Sequence, residues 1–159
     1  MSYWDWAIDV HGRDGVDAAL NALQDHHGQC VAYLLWAAWA AAEGRALPPE
    51  ILIQGAALAR NWEGAATMPL RSARRHLKPP APPIPDEARE ALREQVRKAE
   101  FAAERLLMDT LESLAPQPET GPRDLAEALI AAALAWSRQA PETELGDLAQ
   151  RLTSGGRKA

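Results

Sequence analysis

Residues 30–42 read Cys30-Val31-Ala32-Tyr33-Leu34-Leu35-Trp36-Ala37-Ala38-Trp39-Ala40-Ala41-Ala42. The run carries no charge, no glycine and no proline. It is too short to cross a bilayer, which takes about 20 apolar residues. Val31 is its one β-branched residue, whereas Ala and Leu are strong helix formers. A helix that is apolar on every side belongs inside a core. The run therefore predicts a buried helix over about 29–43, and whatever covers it must also be helical.

Composition agrees. The 159 residues include 33 Ala and 20 Leu against 4 Val, 5 Ile and 5 Thr. Too few β-branched residues remain to fill the faces of a sheet. The expectation is an all-α single helical domain of six or seven helices. A chain this long buries enough surface to hold a core without disulfides or metal.

The flanks set the other elements. Ser2 with Asp5 resembles a capping box and starts a helix over about 3–11. Gly12 and Gly15 interrupt, Asp14 caps a second helix over about 16–26, and Gly28 ends it. After Gly44 and Pro48-Pro49 a fourth helix begins. Its apolar spacing runs on past Pro69, so either one long helix kinks at Pro69 or a second helix starts there with proline in its first turn; the reading favours a break near Thr67 with a helix over about 69–78. Five prolines in 79–85 forbid helix and predict a stiff extended linker. A long helix over 86–114 follows, with Leu92, Val96, Ala99, Ala103, Leu106, Leu107, Leu111 and Leu114 as its apolar stripe. Two more helices, about 123–138 and 141–152, complete the chain. The organisation expected is a core module over 2–78, a Pro-rich linker over 79–85, and a helical second half over 86–152. That half would pack on the core or form a homodimer through 86–114. A disordered tail over 153–159 would end the chain.

Charge is segregated. The net charge is −5 overall, yet residues 60–78 carry Arg60, Arg71, Arg74, Arg75 and Lys78 against Glu63 alone. Arg71, Arg74, Arg75 and Lys78 fall at i, i+3, i+4 and i+7, one face of a helix. Arg60 joins that face if the helix is continuous. Such a face suits an acidic protein surface or a phosphate backbone; equally it can be solvated, or pair internally with an acidic row of the first or the long helix. The chain's overall acidity and the lack of interleaved aromatics disfavour nucleic acid.

Six tryptophans accompany a single Phe. Trp4, Trp6, Trp36, Trp39 and Trp62 fall in the first half, where they either fill space between Ala-rich helices or line an aromatic groove for a partner. His26, His27 and Cys30 lack the ligand count of a metal site, and a single cysteine forms no internal disulfide. Asp5, Asp9, His11, Asp25 and His26 offer carboxylates and imidazoles, but no phosphate loop or nucleophile motif organises them. No catalytic residue, metal or cofactor is assigned. The acidic N-terminus does not read as a secretory signal, which with the lone thiol points to the cytoplasm.

Three pieces recur together: Trp4-Asp5-Trp6-Ala7; Leu23-Gln24-Asp25 with Gly28 and the apolar helix bearing Leu34, Leu35 and Trp39; and Trp62 followed by Pro69-Leu70-Arg71, Arg74-Arg75 and Leu77-Lys78. Over residues 2–78 this order resembles a proteobacterial family catalogued as domain of unknown function 2390. The resemblance implies a bacterial, cytoplasmic protein and carries no activity with it. The functional reading is a protein-interaction adaptor or regulator that uses the basic face and nearby tryptophans. The alternative is nucleic-acid or other anionic-ligand binding through the same face; a weaker one is a small enzyme with an Asp/His site.

Overall fold

The computed structural model describes residues 1–119 and 121–154. Its helices are α1 (Tyr3–His11), α2 (Val16–His27), α3 (Val31–Ala42), α4 (Pro49–Trp62), a π-helical turn (Glu63–Thr67), α5 (Met68–His76), α6 (Asp86–Leu114), α7 (Leu125–Ser137) and α8 (Glu142–Thr153). Since α4, the π turn and α5 run on without interruption, the described residues form seven helical rods and no strand. The fold is all-α. Thr153 ends α8, and the expected tail beyond Ser154 lies outside the described residues.

Two compact units divide the chain: residues 1–59 with 108–159, and residues 60–107. In the first, α3 is the axis, packing on α7, α1 and α2, while α8 closes on α7 and α2. Tyr33, Leu34, Leu35, Trp36 and Trp39 of α3 are all essentially inaccessible, as an apolar-all-round helix demands. Several polar tips in this core find backbone carbonyls, although the Trp36 Nε1–H has no partner. Tyr3 Oη donates to the Ala32 carbonyl at 2.5 Å, and Tyr33 Oη to the Leu52 carbonyl at 2.8 Å. Trp39 Nε1 donates to the Met1 carbonyl at 3.1 Å. Burial drives the Tyr3 phenol well above its ordinary pKa, with the Cys30 thiol adding to the effect.

Local signals explain the ends. Ser2 Oγ accepts from the Asp5 amide at 3.1 Å and donates to the Asp5 carboxylate at 2.6 Å. Gly28 takes φ +61° at the end of α2, and the Gln29 amide then reaches the Leu23 carbonyl. Gly55 is required by proximity: a Cβ there would stand 2.7 Å from Trp36 Cζ3. One expected cap is absent. α2 starts on Gly15 in a left-handed conformation with no side-chain hydrogen bond, so Asp14 does not cap it.

The unit of residues 60–107 is a helical hairpin. Thr67 does not break the helix; the chain widens into a π turn, in which the Met68 amide bonds to the Glu63 carbonyl, and Pro69 falls in the first turn of α5. Residues 79–85 are not an extended spacer. They turn, with the Ile84 amide on the Ala81 carbonyl, and α6 returns along α5. Arg89 fixes the return by donating to the Leu77 and Lys78 carbonyls, at 2.5 and 2.9 Å. These are carbonyls that the end of α5 leaves without helical partners.

Candidate functional site

The basic residues do not form one free face. Arg71 Nε donates to Glu100 Oε1 at 3.0 Å, and Arg71 Nη2 to Glu104 Oε1 at 3.1 Å. Arg74 Nε donates to Glu100 Oε2 at 2.5 Å. Two guanidinium groups one turn apart on α5 thus close on carboxylates one turn apart on α6, the internal pairing that spacing allows. Glu100 is only 9% exposed, and Arg71 and Arg74 are 22% and 27% exposed. Burial alone would raise the Glu100 carboxyl, but the hydrogen bonds from Arg74 and Arg71 outweigh it and hold its pKa below the ordinary value. For Glu104 burial wins over the attraction of Arg71, and its pKa is raised. On Arg74 the hydrogen bond to Glu100 holds the guanidinium pKa above its ordinary value.

What stays outward of the basic set is Arg75 and Lys78, both exposed. Arg60 is also exposed but leaves the row. Eleven residues of α-helix would align it with Arg71, whereas the π turn between them adds residues per turn and displaces it by about a quarter turn.

The tryptophans correct the groove expectation. Trp36 and Trp39 are 0% exposed and Trp6 is 7% exposed, so these three rings are core. The structure brings some aromatics together inside that core, with ring centres of Tyr3 and Trp39 at 5.6 Å and of Tyr33 and Trp36 at 5.7 Å. Trp4 is half-buried. Trp62, half-buried in the hairpin, donates from Nε1 to the Ala103 carbonyl at 2.8 Å. Ala-rich helices leave room for large rings, so the indoles went to packing.

The remaining candidates stay apart. His26 and His27 are exposed while Cys30 is buried, and no group of three His, Cys, Asp or Glu among the described residues could hold a metal. Asp9 pairs with Arg13 at 2.8 Å. His11 meets Asp17 at 2.7 Å on an exposed surface. Asp5 and Asp25 are exposed. Among the described residues no helix is long and apolar enough to cross a membrane.

Sequence reasoning missed how α6 divides its apolar stripe. Val96, Ala103, Leu107 and Leu111 turn away from solvent. Leu92, Phe101 and Leu106 stay outward, 49%, 54% and 57% exposed. On α6 the set Arg89, Arg93, Val96, Glu100, Ala103 and Leu107, spaced four and three, is buried or half-buried. The signal was available: Glu100 and Glu104 stand at i,i+4 on the helix that follows the basic row.

An all-α protein with a helical core and a charge-closed hairpin is therefore in hand. The chain belongs to the family described as protein of unknown function (DUF2390), which matches residues 2–111. That span extends beyond Lys78 through most of α6 and includes the carboxylates that Arg71 and Arg74 grip. No curated protein and no solved structure matches the chain.

Proposed function

We propose that this chain is a non-enzymatic interaction protein, an adaptor or regulator, whose contact surface is the outward face of the α5–α6 hairpin. One observation carries the reading. Arg71 and Arg74 turn inward onto Glu100 and Glu104, while Leu92, Phe101 and Leu106 face solvent. Leu92 and Leu106 lie on the same side of α6, about 40° apart around its axis, with Phe101 on the other side of the buried stripe. Exposed apolar side chains beside charged ones mark interaction sites in soluble proteins. Arg75 and Lys78, exposed on α5 and just beyond its end, supply rim charge that speeds encounter with an acidic partner. Nucleic-acid binding is less well supported, because Arg71 and Arg74 are engaged with Glu100. A cytoplasmic setting suits the single buried thiol, Cys30.

The test is quantitative capture from nuclease-treated lysate with wild type, Leu92→Asp/Leu106→Asp, and Arg75→Glu/Lys78→Glu, each checked for native circular dichroism. The reading expects one specific protein, lost with the leucine variant and weakened several-fold, in a salt-dependent way, with the charge variant. Capture that both variants retain overturns it. Light scattering on the same samples identifies a homodimer through residues 86–114, which the leucine variant would dissolve. A log–log salt slope near −0.9 per phosphate contact on duplex DNA would instead establish the nucleic-acid reading.

A further inference from the structure

The larger unit has a feature that the interaction reading does not use. Between α3 and α7 lies a cavity of about 190 Å³, lined by Ala37, Ala41, Leu52, Ala128 and Ala131, with Arg45, Arg123, Asp124 and Glu127 also in its wall. Pockets for drug-sized molecules run from about 300 Å³, so this one admits something smaller. Its apolar part consists of alanine methyls and leucine side chains, which recognise an aliphatic body.

Its charged part is mixed. Arg45 lies over the Trp39 ring at 4.8 Å and donates from Nη1 to the Pro116 carbonyl at 2.8 Å. Its Nε–H is buried and has no partner. With Nη1 held by the Pro116 carbonyl and Nε closed off from solvent, Arg45 offers a ligand positive charge at the cavity wall. Arg123 reaches Glu119 only at 3.9 Å and makes no shorter ion pair among the described residues. Asp124 already serves as the cap of α7, accepting from the Glu127 amide at 2.8 Å. The Glu127 carboxylate is exposed and makes no ion pair among the described residues. A plain anion would meet two carboxylates here, and a plain cation two guanidinium groups.

We propose that this cavity binds a small zwitterion of the α-amino-acid class. Its carboxylate lies toward Arg45 and Arg123, its ammonium toward Glu127, and its short aliphatic side chain on the alanines. The proposal is independent of the hairpin reading, since its residues all belong to the other unit.

The experiment is titration of the full isotope-labelled chain, followed by amide shifts, with leucine, N-acetyl-leucine and leucinamide as probes. Leucine should shift the Ala128 and Ala131 amides saturably, and each blocked analogue should bind at least tenfold more weakly. Glu127→Gln should weaken leucine at least fivefold and leave the residual affinity for N-acetyl-leucine unchanged. Ala131→Phe should abolish binding while the spectrum stays native. No saturable shift with leucine overturns the proposal. So does N-acetyl-leucine binding as tightly as leucine, which would make the cavity an acid-binding cleft. Glu127 and Ala131 are both exposed, so the variants test binding with the core left intact.

Discussion

The two units solve the problem of holding helices together in opposite ways. In the larger one, Trp36, Trp39, Leu20, Leu111, Leu129, Leu145 and Leu148 are completely or almost completely buried. In residues 60–107 the only buried apolar side chains are Ala103 and Leu107, and buried Arg89 and Glu100 stand beside them. Hydrophobic burial is non-directional and tolerates wear, whereas a charge network depends on each partner. The difference teaches where the chain is robust and where it is conditional.

The sharpest test of that contrast is Trp36→Ala, which should cost about 3–5 kcal/mol in denaturant titration, the range for emptying a large aromatic site. A loss below 1 kcal/mol would mean that the larger unit does not rest on α3. Gly55→Ala comes next. Its new methyl would lie 2.7 and 2.9 Å from Trp36 ring atoms that are fixed by packing, so a loss of about 1–3 kcal/mol is expected. Glu100→Gln should remove about 1.5–3 kcal/mol from the hairpin, the worth of hydrogen bonds to charged groups. The loss should be read as faster amide exchange in α5 with α3 unchanged. If α3 accelerates equally, the two units unfold as one.

Acidification sharpens the comparison further. The raised pKa of Glu104 means that its ionised form is disfavoured in the fold, so hairpin stability rises as pH falls from neutrality through that pKa. The lowered pKa of Glu100 contributes stability above the ordinary glutamate value, and that stability is lost as pH falls through the folded pKa. Protection in α5, taken relative to the intrinsic exchange rate at each pH, should therefore rise slightly and then fall on acidification, and Glu104→Gln should remove the first phase. The smallest effect belongs to Leu106→Ser. It should shift stability by less than about 0.5 kcal/mol, as an exposed position does, although the same leucine belongs to the proposed contact surface.

The fold was largely legible because one uncharged run with no breaker can only be a core helix. Around it, Ser2, Gly28 and the 79–85 prolines marked where helices start or stop. The hairpin was harder to read. Pro69 looks like a break because proline ends helices, yet a first-turn proline costs nothing, and the π turn before it has no sequence signature that spacing alone reveals. The basic row at Arg71 and Arg74 was visible. Its partner carboxylates were not assigned, because which face of a long helix turns inward depends on the helix that returns beside it. The tryptophans misled for a related reason: indoles serve interfaces and cores equally well, and only the alanine-rich surroundings of Trp36 and Trp39 decide between them.

The π turn at Glu63–Thr67 makes the length of this helix count as much as its composition. A helix is a phase, advancing about 100° per residue, and a wide turn is a stored phase offset. Removing Ala65 or Ala66 would collapse that offset without touching a charged group. Arg60 would swing into line with the row, and Arg71 and Arg74 would rotate off Glu100. A deletion at this one place would thus act like the loss of both arginines from the hairpin, and a single residue of length decides whether this family member's arginines grip their carboxylates or face the solvent.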